Sequence, residues 1–138
     1  MQMSIKSIVR IVAVCFVPVL LPGCQSGEQS SNLTESAARE ALDTALAAWK
    51  SGQAHGTVEG FDVPIDTFDA RWQASKKLDH YEIVREEESE GPRRFVVTMK
   101  LADETKAEEV HYLVIGSDPM LIFRKQDYDN ASSMIGGK

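Results

Sequence analysis

Apolar residues run without interruption from Ile11 to Leu21, recur at helical spacing from Thr34 to Lys50, and alternate with polar ones after Leu78. Each pattern predicts a different kind of segment. In the second, Leu42, Ala45, Leu46 and Trp49 fall at i, i+3, i+4 and i+7, which makes one apolar stripe on a helix. Asn32 or Thr34 can cap its start, Glu35 and Glu40 suit its positive end, and Gly52 fits just past its C-terminus. Alanines at 37, 38, 41, 45, 47 and 48 raise helix propensity and let another element approach closely. Trp49 is the expected core anchor.

Between Gly52 and Leu78 the pattern is mixed, with Gly52, Gly56, Gly60 and Pro64 interrupting Val58, Phe61, Val63, Ile65 and Phe68. Alternation from Phe61 to Ile65 allows a short strand, which Pro64 would confine to a sheet edge because it has no N–H to donate. Ala70 to Leu78 allows a short helix with Trp72 inward. Period-two strands are then expected at His80–Glu87, Arg93–Leu101, Glu108–Ile115 and Met120–Lys125, joined by short polar connections. Such connections imply an antiparallel meander. Phe95, Val97, Met99 and Leu101 alternate with Arg94, Val96, Thr98 and Lys100, as in a sheet with one buried face. Val110 to Ile115 is apolar on both faces except at His111, so that strand should lie in the interior of the sheet.

The expected fold class is therefore α+β, with an N-terminal helix packed on a curved antiparallel sheet of about four strands and a signal helix ahead of it. This order of elements over about Thr34 to Asp127 resembles the cystatin and nuclear-transport-factor-two-like superfamilies, in which a sheet wraps around an N-terminal helix. Many functions share such folds. Inhibitory cystatins also use a Gln-x-Val-x-Gly loop, whereas this chain has Gln53-Ala54-His55-Gly56 in the comparable region. Protease inhibition loses support accordingly. Trp72, Lys76-Lys77-Leu78 and Tyr81-Glu82-Ile83 also resemble small uncharacterised bacterial lipoproteins, a resemblance that carries no known chemistry.

Charge and cysteine usage add a compartment. Lys6 and Arg10 precede the Ile11–Leu21 run, and Gly23 supplies the small residue a signal peptidase needs before its cut. The run is far short of the roughly 20 apolar residues that span a bilayer. Leu21-Pro22-Gly23-Cys24 resembles a bacterial lipoprotein lipobox, with proline where a small or hydroxylated residue is usual. The resemblance implies removal of residues 1–23 and acylation of Cys24 on sulfur. The other cysteine, Cys15, would leave with the signal, so Cys24 would have no disulfide partner. Loss of Lys6 and Arg10, with no acid in that segment, takes the formal charge from −6 to −8. That acidic balance opposes nonspecific attraction to nucleic acid or anionic lipid, both of which need a basic patch, so attachment is expected from the acyl chains, each buried methylene adding about 0.8 kcal/mol.

Four segments follow: a signal peptide at 1–23, a tether at 24–33, a helix-plus-sheet domain at 34–127 and a disordered tail at 128–138. The Ser-, Gln- and Gly-rich tether has a random-coil reach of about 15 Å. Gln25 stands where an aspartate, by the lipoprotein resemblance, would favour inner-membrane retention. The expected address is the outer membrane, facing the periplasm, in a host that has one.

Candidate chemistry is sparse. His55, His80 and His111 are not at metal-ligand spacings, and there is no HExxH pair. The run Glu86-Glu87-Glu88-Ser89-Glu90 lacks the Asp, Asn and Gly punctuation of a calcium loop and faces Arg93 and Arg94 across Gly91-Pro92, which favours cross-strand pairing. No Walker loop, GxGxxG or GxSxG is present, and no cofactor or metal is expected. Some nuclear-transport-factor-two-like enzymes place an Asp base with Tyr or protonated Asp donors inside the cone. Asp79, Tyr81, His111 and Tyr112 are the residue types for such a pocket, although adjacent His111 and Tyr112 should point to opposite faces. The leading expectation is a noncatalytic, lipid-tethered module that binds an envelope protein or itself, with no nucleic acid among its partners. The alternative is a ligand-binding or enzymatic cone.

Overall fold

The structure, a computed structural model, describes residues 33–116 and 118–137. The expected signal peptide, Cys24 and nearly all of the tether lie outside the described residues. Helix α1 (Glu35–Lys50) starts where Thr34 accepts a hydrogen bond from the Ala37 N–H at 3.1 Å. Gly52, at φ 94°, turns the chain away beyond it. One face of α1 is buried, comprising Ala38, Ala41, Leu42, Ala45, Leu46 and Trp49. Full burial of a side chain the size of Leu42 or Leu46 contributes about 1.5–3 kcal/mol.

Two short strands follow, β1 (Thr57–Val58) and β2 (Ile65–Phe68), and then a helix of one turn, α2 (Ala70–Gln73). Strands β3 (Leu78–Glu87), β4 (Arg93–Leu101), β5 (Glu108–Ile115) and β6 (Met120–Arg124) form the meander, and α3 (Lys125–Gly136) closes the chain. All six strands make one sheet in the order β1-β2-β6-β5-β4-β3. Neighbours are antiparallel except β2 and β6, which run parallel with Ile65 opposite Met120 and Phe68 opposite Phe123.

This architecture corrects the expectation in three places. The sheet is mixed and has six strands, where an antiparallel sheet of about four was expected. The strand expected at Phe61–Ile65 begins instead at Ile65 and lies inside the sheet. Pro64 cannot donate to a ladder, but its carbonyl accepts from the Met120 N–H at 2.9 Å and so opens the pairing with β6. The segment expected as a disordered tail is helical to Gly136. Helix α3 buries no residue; Lys125 pairs with Asp129 one turn on, a spacing that favours the helical conformation.

The core lies between α1 with α2 and one face of the sheet. Phe95, Val97, Met99 and Leu101 of β4 meet Tyr112 and Val114 of β5, Ile65 of β2 and the buried stripe of α1. Val96 and Leu113 are buried on the opposite face. There Val96 pairs with Arg85 and His111, and Leu113 pairs with Arg94 and Phe123. On that face Phe68 stacks on Phe123 with centroids 4.4 Å apart, and Phe123 meets Tyr128 of α3 edge-on.

Candidate functional site

The four residues considered for an acid–base pocket do not converge. Asp79 is exposed and accepts from Lys100 at 3.1 Å. Tyr81 faces α1, and its hydroxyl donates to Asp43 Oδ1 at 2.9 Å. Burial, aided by that bond, pushes the Tyr81 phenol up to about 12. Tyr112 is buried in the core, while His111 next to it in β5 projects to the other face, as strand geometry requires.

His111 is partly exposed within a group of charges. Its Nδ1 lies 3.2 Å from Glu87 Oε2 and its Nε2 3.6 Å from Glu109 Oε1. Arg85 Nη2 stands 3.6 Å from Glu87, and Arg94 Nη1 stands 3.9 Å from it. The carboxylate partner of His111 is thus Glu87 rather than Asp79. The distance suits proton exchange, but the pair sits on the outer face of the sheet with a third of the His111 side chain exposed. A cleft of about 410 Å³ beside it is bordered by Arg71, Glu108, Arg124 and Asp129. Those groups are already engaged, Arg71 with Glu108, Arg124 with Asp127, and Lys125 with Asp129.

The densest polar cluster lies at the end of β2 and on α2, and it joins Tyr112 to Asp69 and Arg71, two residues absent from the sequence expectation. Asp69, buried, is the N-cap of α2 and accepts from the Arg71 N–H at 2.9 Å. Its Oδ2 accepts from the Tyr112 hydroxyl at 2.6 Å and from Arg71 Nη2 at 3.2 Å. Arg71 also donates to Tyr112 Oη at 3.3 Å and to Glu108, and its guanidinium lies 5.8 Å from the centroid of the Trp49 ring. Burial, followed by the Asp69 charge, holds the Tyr112 phenol well above its ordinary value. Such a phenol keeps its proton and serves as a donor. Burial opposes the Arg71 charge, but the Asp69 hydrogen bond and the neighbouring negative groups outweigh it and raise that pKa.

The cluster ties β2, α2 and β5 together. Asp127 extends it, accepting from the Ala70 N–H at 3.0 Å and from Arg124 at 2.8 and 2.6 Å, so it closes the same end of the sheet. Every polar atom of Asp69 and Tyr112 named here faces another protein group, which fits a structural lock more closely than a substrate contact. Asp69 immediately before a short helical pattern is a capping signal in the sequence. Its link to Tyr112 is not.

Among the described residues, no group of three or more His, Cys, Asp or Glu side chains is placed to hold a metal ion. A cleft of about 1240 Å³, open to solvent, runs along the β3 end of the sheet beside Leu33, Glu35, Val84 and the turn between β3 and β4. No family model matches the chain, and neither curated proteins nor solved structures gave a match.

Proposed function

We propose that the protein is an exported lipoprotein, held at the cell envelope by an acylated Cys24, whose helix-and-sheet domain is a noncatalytic binding module. The observation that carries the reading is Leu21-Pro22-Gly23-Cys24 placed directly after a basic start and a short apolar run. With Gln25 following, the favoured address is the outer membrane facing the periplasm. A second envelope protein, or another copy of the chain, is the partner class. Among the described residues no helix is long and apolar enough to cross a membrane. The noncatalytic part draws support from the separation of Asp79, Tyr81, His111 and Tyr112 and from the mutual satisfaction of Asp69, Arg71 and Tyr112.

The alternative, an acid–base site, would rest on His111 and Glu87 at 3.2 Å. Replacing Cys24 by Ala tests the main reading in cells. The expected result is loss of fatty-acid labelling and transfer of the protein from the membrane to the soluble fraction. Retention of the variant in membranes after a high-salt wash would overturn it.

A further inference from the structure

Among the described residues the sheet ends at β3, a strand of ten residues with β4 as its one neighbour. Long edges invite strand pairing, and folds blunt them with bulges and charged side chains. Here the register with β4 shifts between Leu78 and His80 and again between Ile83 and Arg85. Arg39 reaches across from α1 and donates to the Ile83 carbonyl at 2.9 Å. That bond closes the middle of the groove between α1 and β3. Beyond it, the last four residues of β3, Val84 to Glu87, border the open cleft of about 1240 Å³. Val84 stands 45% exposed there, an apolar side chain on an edge that no other strand of the described residues covers. Four extended residues span about 13 Å, enough for a short segment to pair alongside.

The charge of the cleft selects the occupant. Within it, Arg85 pairs with Glu87 and Arg93 with Glu86, while Arg39 is held by the neutral Ile83 carbonyl and keeps its charge, one cation against three further carboxylates. Glu35, Glu88 and Glu90 line it and form no ion pair among the described residues. The net field in the cleft is negative. A second copy would bring the same carboxylates against these and be repelled, whereas a cationic segment would be drawn in.

We infer that the edge of β3 from Val84 to Glu87 takes an extended polypeptide segment in which lysine or arginine alternates with apolar residues, by strand addition. This inference rests on the binding role proposed above and names its partner class. Backbone pairing would supply affinity, Val84 an apolar contact, and the three glutamates the preference for positive charge.

The test is calorimetric titration of the full chain with a synthetic peptide alternating lysine and valine, beside one alternating glutamate and valine. The lysine peptide should bind with an affinity that falls as salt rises, and the glutamate peptide should not. Val84→Asp separates docking from bulk attraction, because it adds negative charge while removing the apolar contact. Docking predicts a loss of affinity of about tenfold, equivalent to about 1.4 kcal/mol. Bulk attraction predicts unchanged or tighter binding, and that result would overturn the inference, as would equal binding of the two peptides or no binding of either. Glu88→Gln with Glu90→Gln, which leaves Val84 in place, should lower affinity and flatten the salt dependence; unchanged binding by that variant would equally overturn it. Fractionation of Cys24→Ala is independent of this titration, so failure of one reading is distinguishable from failure of the other.

Discussion

Trp49 and Trp72 stack with ring centroids 5.4 Å apart and planes 8° from parallel, joining α1 to α2 in the core. Each indole N–H is used as well, Trp49 Nε1 donating to the Lys76 carbonyl at 2.7 Å and Trp72 Nε1 to the Gln53 carbonyl at 2.8 Å. The pair therefore fixes both the packing of α2 and the path of the loops on either side of it. Trp49→Ala should destabilise the protein by about 3–5 kcal/mol, as large-to-small core changes of an aromatic do. Chemical denaturation checks this, and a near-native midpoint would remove the helix-on-sheet core as described.

Tyr112→Phe and Asp69→Ala probe the lock between β2, α2 and β5. The first removes a hydroxyl donor to a carboxylate, an interaction of about 1.5–3 kcal/mol. The second leaves the Arg71 charge without its buried partner, at a cost of about 3–5 kcal/mol typical of a broken buried pair. Denaturation midpoints should fall in that order, Asp69→Ala lowest. The reverse order would mean that Glu108 alone holds Arg71.

Acid should loosen the closed end of the sheet first. Burial pushes the Asp127 carboxyl up, but its bonds from Arg124 and the Ala70 N–H pull it further down, to a net value below the ordinary 3.8. A carboxyl depressed in the folded state adds stability above its unfolded pKa and loses it as pH falls through the folded one. The contribution is thus complete at neutral pH and declines below about pH 4. Asp127→Asn should flatten the decline of melting temperature in that window and lower stability at pH 7. An unchanged slope would show that other carboxylates set the acid limit.

His111→Gln should keep the fold and change stability by less than about 1 kcal/mol, as for other partly exposed ion pairs. Its partners, Glu87 and Glu109, retain Arg85 and Arg94 nearby. Melting curves read the stability, and a loss of several kcal/mol would mark His111 as a core residue in place of one member of a surface charge network.

Gly116 has φ of 76°, and a Cβ there would stand 3.1 Å from the Pro119 carbonyl oxygen. Gly116→Ala should destabilise by more than about 1 kcal/mol, since both the backbone conformation and the close approach oppose a side chain. A variant as stable as the parent would show that the loop relaxes freely.

Strands β4 and β5 were legible to the residue, β4 from its alternation and β5 from a run apolar on both faces, each with a clear turn on either side. The helix stripe of α1 was equally plain. Less legible was β3, which begins two residues earlier than its alternation because the register shift after Leu78 breaks the period. The parallel pairing of β2 with β6 has no local signature: Ile65 and Met120 meet only after the intervening chain has crossed the sheet. Pro64 argued for an edge, yet its carbonyl was the group the sheet used. At the candidate site, alternation correctly separated His111 from Tyr112. It could not reveal that the Tyr112 partner is Asp69, because that contact depends on where β2 enters the sheet.

Strand β6 lies between β2 and β5, so within the sheet it alone joins the β1–β2 pair to the antiparallel meander. Synthesis order and sheet order therefore disagree. A nascent chain that has reached only Gly116 can pair β3, β4 and β5, but it has nowhere in the sheet to lodge β1 and β2, and Ile65 lacks the partner strand that buries it. Completion of the fold waits for β6 to leave the ribosome. Until then the apolar face of β2 is a surface for a chaperone to hold.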